Sequence, residues 1–509
     1  GTADSQPPSV IFMFPGQGAQ YVGMAGDLYA QEPEFSRWID RGADFLQPLI
    51  DTDIRDFLCA DRSASDEEKA RMLRDTKLAQ PALYLIEYAL ARFWMSRGLV
   101  PDAMIGHSVG EFVAATLANT MSFDDGLRLV ASRGKLMQLQ PAGAMISVRA
   151  PVEAAMKFLG DGVDLAAVNA PKLCVLAGPF DAIDRISARL EQEGIASSRL
   201  HTSHAFHSAM MDNAVVALRH ETEKVAFGKA TIPYVSCVTG DWQDAETGAS
   251  PDYWAQHCRA AVRFAQGIAT ACEGRKPVLV EVGPGQTLSV LAAQTVRREE
   301  LAAVVQSLPL HDSETSATET IAETHGRMWS VGVDLPWPAA RAVRRIALPT
   351  YPFQRESHWI KAPAPIRQQS LQMPAQHPPE TARPVDPVAA FPSVENGISV
   401  MNVSAQPIVA SRVPALETSL LALLAEMAGD DLGPDAIQST FLELGYDSLF
   451  IGQFAQRIEK QYKTKLSFRQ LLSSIPTIAA LARHLDNELP PEQGQPAAPV
   501  AAAAPIPAQ

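Results

Sequence analysis

The chain has 509 residues, more than the roughly 250 to 300 at which one apolar core stops growing, so several domains are expected. A formal net charge of −14 argues against nucleic acid as a partner, and no uninterrupted apolar stretch of about 18 residues is present to span a membrane. The five cysteines, Cys59, Cys174, Cys237, Cys258 and Cys272, form no Cys-x-x-Cys pair, which argues against a disulfide framework or a zinc site and suits a reducing cytoplasm.

Residues 1–8 read as unstructured. The run Val10-Ile11-Phe12-Met13-Phe14 is a buried-strand pattern that enters Pro15-Gly16-Gln17-Gly18-Ala19-Gln20, a turn too rich in glycine to be helical. It has neither Gly-x-Gly-x-x-Gly nor a Lys-Ser/Thr ending, so it reads as a loop setting main-chain N–H groups beside a site rather than as a phosphate cradle. Helical spacing follows over 35–46 and 81–97, where Leu83, Ile86, Leu90, Phe93 and Trp94 recur as a core stripe. Next, the apolar Ala103-Met104-Ile105 meets Gly106-His107-Ser108-Val109-Gly110-Glu111 and an Ala-rich helix over 112–119. A serine at such a strand-to-helix bend, flanked by glycines because the turn has no room for Cβ atoms, is a nucleophile elbow. The helix start offers N–H groups and positive dipole to a developing oxyanion.

A helix over 125–138 carries Arg133. From 144 to 200 short strands at 144–148, 163–168, 173–176 and 197–200 alternate with helices near 152–159 and 181–193. The order β-α-β-β-α-β is that of a ferredoxin-like unit inserted, at about 142–203, into a larger α/β body. Its exit leads into His201-Thr202-Ser203-His204-Ala205-Phe206-His207-Ser208; without a carboxylate or cysteine at ligand spacing, these histidines suit a base for Ser108 better than a metal. The body resumes with a strand at 278–282, Gly283-Pro284-Gly285, a helix from Thr287, a strand at 303–307 and a helix near 319–331. Residues 351–361 look extended. The stretch 362–414 shifts to Pro, Ala, Gln, Ser and Val without periodicity, the composition of a disordered tether. Order returns over 415–489 as a small helical bundle, with Leu416, Leu420, Leu423, Leu424 and Met427 on one stripe and no Lys or Arg between Glu417 and Asp447; 490–509 is an Ala/Pro tail.

Taken in order, Phe14-Pro15-Gly16-Gln17-Gly18-Ala19-Gln20, Gly106-His107-Ser108-Val109-Gly110-Glu111, Arg133-Gly134-Lys135, His204-Ala205-Phe206-His207, Gly283-Pro284-Gly285 and Tyr351-Pro352-Phe353 resemble the acyltransferase domains of modular polyketide synthases and the malonyl-CoA:acyl carrier protein transacylases. The likeness spans residues 9 to 360, with the domain proper at 9–350. Phe441-Leu442-Glu443-Leu444-Gly445-Tyr446-Asp447-Ser448-Leu449, with Ile475-Pro476-Thr477-Ile478, resembles an acyl carrier protein domain, so the chain looks like a didomain from a longer synthase.

The resemblance implies a fold and a set of roles. The fold is an α/β-hydrolase-like large subdomain with the inserted ferredoxin-like one, followed by the helical carrier. Ser108 would be the nucleophile and His207 its general base, oriented by a main-chain carbonyl that counting back from Phe264 places at His257. The N–H groups of Gln17 and Val109 would form the oxyanion hole. Arg133 would clamp the free carboxylate of a dicarboxylic acyl group, and His204 to His207 would set substrate choice, with Phe206 filling the space of a 2-methyl branch, which favours malonyl over methylmalonyl. Ser448 would carry 4′-phosphopantetheine, and malonyl-CoA, a ketosynthase and other synthase domains, and a phosphopantetheinyl transferase are the implied partners, with no metal. Two rival readings are a serine thioesterase or hydrolase, for which Asp164, Asp181 and Asp184 lie between serine and histidine, and a non-catalytic carrier scaffold.

Overall fold

The computed structural model describes residues 7–60, 67–311, 313, 315–336, 412–428, 433–441, 444, 446, 448–464, 466, 470–471 and 475–488. The Tyr351-Pro352-Phe353 motif, nearly all of 362–414, the 490–509 tail, and Leu442, Glu443, Gly445 and Asp447 of the carrier signature lie outside the described residues.

The described strands of the body are β1 (Val10–Phe14), β2 (Ala103–Gly106), β3 (Ala144–Val148), β4 (Asp164–Ala170), β5 (Leu173–Gly178), β6 (Ser197–Arg199), β7 (Tyr234–Val235), β8 (Val278–Glu281) and β9 (Ala303–Gln306). Five of them form a parallel sheet in the order β7-β2-β1-β8-β9. Alternation along β1 divides the core: Val10, Phe12 and Phe14 join one apolar cluster with Phe35, Leu83 and Leu127, whereas Ile11 and Met13 join another with Phe264 and Ile268. A strand apolar on both faces is what a parallel sheet covered by helices on both sides requires. Phe14 sits opposite Gly106, and His107 N donates to Phe14 O at 2.8 Å, so the loops after β1 and β2 leave the sheet side by side. Open parallel sheets bind their ligands at these carboxyl ends.

A second sheet, antiparallel in the order β4-β5-β3-β6, buries Ile146, Val148, Cys174 and Leu176 against Ile183, Ile186 and Leu190 of the helix Phe180–Gln192. Val168 N to Val262 O at 2.8 Å and Val262 N to Ala166 O at 2.9 Å tie it to the body.

Some elements differ from the sequence reading. The helix expected from Pro81 starts at Thr76, because burial of Leu78, Ala79 and Gln80 outweighs the one backbone hydrogen bond that proline removes. Between 208 and 277, a stretch for which the sequence reading names no elements, lie the helices Asp212–Thr222, Pro251–Gln256 and Phe264–Cys272 and the two-residue β7.

In the C-terminal part, the first helix runs over Val413–Ala428, starting before the expected boundary at 415, and Arg412 Nε donates to Asp486 Oδ1 at 2.9 Å. It packs with Ser448–Tyr462 and Ile478–Glu488 around Leu420, Leu424, Phe441, Phe454, Ile458, Ile478, Leu481 and Leu485. Among the described residues no helix is long and apolar enough to cross a membrane.

Candidate active site

Ser108 lies between β2 and the helix Gly110–Leu117 with φ of 50°, in the left-handed region that a side chain seldom adopts. Contact forces its glycine neighbours: a Cβ on Gly106 would lie 2.1 Å from Glu111 N, and one on Gly110 would lie 2.2 Å from Phe14 O. Ser108 Oγ is 2.8 Å from His207 Nε2, and His207 Nδ1 donates to Ala260 O at 2.7 Å. The carbonyl that orients the imidazole therefore belongs to Ala260 and not to His257. His257 N still bonds Tyr253 O at the end of the helix Pro251–Gln256, and the chain turns through Cys258 and Arg259 before a carbonyl faces His207. Burial, then the Arg133 charge and His257, hold His207 well below the usual histidine value. With its proton on Nδ1, the ring presents a neutral Nε2 acceptor to the serine.

Arg133 is buried, 1% exposed, on the helix Phe123–Gln138. Its Nη1 donates to Gln80 Oε1 at 2.6 Å and its Nη2 to Ser108 Oγ at 3.1 Å, while Nε is buried with no hydrogen-bond partner. No carboxylate lies within ion-pair distance of it among the described residues, and burial works against its charge. Its neighbour Gly134 has a steric reason: a Cβ there would lie 2.7 Å from Thr76 O, so glycine lets this helix seat on the start of the helix Thr76–Ser96.

Ser108, Arg133, His207, Phe206, Gln17 and Val109 all line one cavity of about 340 Å³. Among the described residues neither the Gln17 nor the Val109 N–H is taken by a hydrogen bond. Phe206, 7% exposed, forms wall together with Met137, Met145 and Leu200. His204 does not line the cavity. It is buried behind Phe206, ring centroids 5.9 Å apart, with Nδ1 2.7 Å from Ser203 Oγ and Nε2 3.1 Å from Gln140 O. His257, expected at the substrate, is fully buried away from the cavity, its Nε2 3.3 Å from Glu111 Oε2 and 3.2 Å from Cys237 Sγ.

That last cluster has no local sequence signal. Glu111 accepts from Tyr253 Oη and, at 2.7 Å, from Cys237 N. Burial pushes its carboxyl up, but the hydrogen bonds from His257, Tyr253 and Cys237 outweigh this and leave it below the usual range. Glu111, Cys237 and His257 each place a potential metal-ligand atom within 4.8 Å of the others; all three are already spent in hydrogen bonds, and burial keeps the Cys237 thiol protonated. A second buried carboxyl, Glu281, accepts from Leu288 N at 3.0 Å and Ser289 N at 2.8 Å at the start of the helix Thr287–Thr295. Burial raises it to about 7 against the pull of those N–H groups.

Residues 11–334 match the acyl transferase domain family, and residues 418–485 match the phosphopantetheine attachment site. The second match implies a covalent 4′-phosphopantetheine, and the first a CoA thioester substrate. A phenolphthiocerol/phthiocerol polyketide synthase of Mycobacterium tuberculosis is 31% identical over 515 residues, covering 98% of this chain and 32% of that protein. The chain thus spans about a third of that relative's length. The acyltransferase domain of SpnD, solved in complex with 2-(pent-4-yn-1-yl)malonyl, is 37% identical with a TM-score of 0.59, over 64% of this chain and 78% of that one. The MCAT of Streptococcus pneumoniae is 28% identical with a TM-score of 0.54, over 62% and 100%. Since the first match runs from Ile11 in β1 past the helix Ala317–Ser330, the chain belongs to the acyl transferase domain family, with a phosphopantetheine attachment domain following it.

Proposed function

We propose that the chain takes a malonyl unit from malonyl-CoA onto Ser108 and passes it to the carrier arm attached at Ser448. The carrying observation is Arg133: a buried guanidinium without a counter-charge, 3.1 Å from the nucleophile, calls for an acyl group that brings its own carboxylate. Nη1 is held by Gln80; Nε, which has no partner, and Nη2, which donates to Ser108 Oγ, form the edge of the planar fork that would take two parallel hydrogen bonds to that carboxylate.

The residues divide the work as follows. Ser108 gives its proton to His207 Nε2 as Oγ attacks the thioester carbonyl. Gln17 and Val109 N–H receive the charge that develops on the carbonyl oxygen. The C–S bond breaks, and His207 returns the proton to the departing CoA thiolate, leaving a Ser108 ester. Phosphopantetheine, when attached, supplies the thiol that accepts the acyl group. Ser448 suits its attachment because it opens the helix Ser448–Tyr462, whose N-terminal dipole favours a phosphodiester. In the return half His207 again accepts and hands back one proton.

Phe206 on the wall supports malonyl over methylmalonyl, with His204 acting as its backing. The antiparallel sheet is read as the inserted ferredoxin-like subdomain, supported by its strand order, and the larger body as α/β-hydrolase-like. The rival hydrolase reading lacks its acid: Asp181 pairs with Arg185, Asp184 with Arg199, Asp164 accepts from Ala209 N, and His207 Nδ1 is taken by Ala260 O. A ketosynthase, other synthase domains and a phosphopantetheinyl transferase complete the proposed set of partners.

Intact-protein mass spectrometry with malonyl-CoA tests the reading. The wild type should gain one malonyl group and Ser108→Ala none on that residue. Label on Ser108→Ala protein at the wild-type rate, before any carrier modification, would refute it.

A further inference from the structure

The oxyanion donor of Gln17 sits in a loop with little secondary structure of its own, so something must hold it. Gln17 Nε2 donates to Thr76 Oγ1 at 3.1 Å. Thr76 is fully buried at the first position of the helix Thr76–Ser96, and its N–H donates to Gln138 Oε1 at 2.7 Å. Gln138 closes the same helix that carries Arg133, and Gly134 of that helix rests on the Thr76 carbonyl. A second tie runs beside the first: Gln20 Oε1 accepts from Gly18 N at 2.7 Å, and Gln20 Nε2 donates to Leu73 O at 3.4 Å. One turn further along the Thr76 helix, Gln80 holds Arg133. The first two turns of one helix thus grip both the loop facing the thioester oxygen and the arginine facing the far end of the acyl group.

We infer that Thr76, fixed by Gln138, is a positioning residue that sets the Gln17 N–H for the developing oxyanion. This rests on the acyl transfer reading above. The hydroxyl acts through the Gln17 side chain and touches no reacting atom. Its loss should therefore raise the barrier to acylation without weakening the capture of substrate. A misplaced donor costs less than a missing one, which in other enzymes is worth about 10² to 10³ in rate.

The test compares Thr76→Val, which keeps the branched shape but lacks the hydroxyl, with Thr76→Ser, which keeps the hydroxyl. Ser108 acylation is followed on the full chain with malonyl-CoA and acetyl-CoA. Thr76→Val should lower kcat by about tenfold with KM within about twofold, and Thr76→Ser should stay within about threefold of wild type. The malonyl-to-acetyl preference should not move, since Gln80 still holds Arg133. Gln17→Met cuts the same tie while keeping the main-chain N–H, so it should reproduce the loss, and the double variant should be no slower than either single one. An unchanged kcat in Thr76→Val, an equal defect in Thr76→Ser, a defect confined to KM, or losses that multiply in the double variant would each overturn the inference. Should Thr76→Val not fold, Gln17→Met alone decides it, because an unimpaired kcat there removes the brace. Failure of the wild type itself to acylate Ser108 would instead sink the transfer reading.

Discussion

Replacing Arg133 by alanine removes a charge that the fold leaves unpaired beside Ser108. One guanidinium edge, with Nε unpartnered and Nη2 on the Ser108 hydroxyl, can turn to a carboxylate, and each hydrogen bond to a charged partner is worth about 1.5 to 3 kcal/mol. Together they amount to about 3 to 6 kcal/mol, or two to four powers of ten in kcat/KM for malonyl-CoA. Acetyl-CoA has no carboxylate to lose and is no longer asked to lie against an unmatched buried cation, so its acylation should hold steady or rise. Lysine at 133 should fall between, because a point charge cannot form the fork. Competition between malonyl-CoA and acetyl-CoA for Ser108, read by mass spectrometry alongside a melting curve for each variant, measures the ratio directly. A malonyl-to-acetyl ratio that changes by less than about tenfold in folded Arg133→Ala protein would refute the arginine clamp.

Three other side chains give measurable outcomes. His207 is held below 6.5, so it stays neutral as pH falls past that value; Ser108 acylation should run flat from neutral pH down through 6.5 and drop only below it, and an inflection at or above 6.5 would contradict the buried geometry. The same depression makes its protonation oppose folding, so this group's share of stability is lost as pH falls below 6.5. Phe206→Ser should open the wall and raise methylmalonyl acylation relative to malonyl by about tenfold, within the cost of overpacking a rigid pocket; an unchanged ratio in a competition assay counts against the filter. Glu281 keeps its proton to about 7 in the fold against 4.5 when free, so the stability it lends is full below 4.5 and is lost as pH rises to about 7. Glu281→Gln should therefore gain on the wild type by about 3 kcal/mol in urea titrations between acid and mildly alkaline pH, and a difference that is flat with pH would be wrong for a carboxyl so buried.

Much of this is legible in the sequence where chemistry and chain continuity coincide. The elbow announces itself because Gly106, Ser108 and Gly110 are close in the chain and each is fixed by a contact at the bend. Arg133 and His207 stand in short motifs, and the inserted sheet shows as alternating strand and helix patterns. What escapes is carried by atoms without a sequence signature or by residues far apart in the chain. A main-chain carbonyl can belong to any residue, so counting back from Phe264 reaches His257 when the turn after the helix Pro251–Gln256 delivers the orienting group from Ala260. Glu111, Cys237, Tyr253 and His257 span more than a hundred positions, so no local pattern joins them. Thr76 carries no signal of its own, because Pro81 looks like the natural start of its helix.

The hydrogen bond from His207 to Ala260 has a bearing on how such a domain can change its diet. The chain reaches the base only after passing through the antiparallel sheet, yet the base hangs from a carbonyl that lies beyond it, near the helix Phe264–Cys272 of the main body. The exit segment of the sheet thus carries both Phe206 of the cavity wall and the base itself, while the group that orients the base comes from a separate part of the chain. On the proposed reading, a change of side chain at Phe206 acts on the cavity wall while the hydrogen bond to Ala260 still holds the neighbouring imidazole.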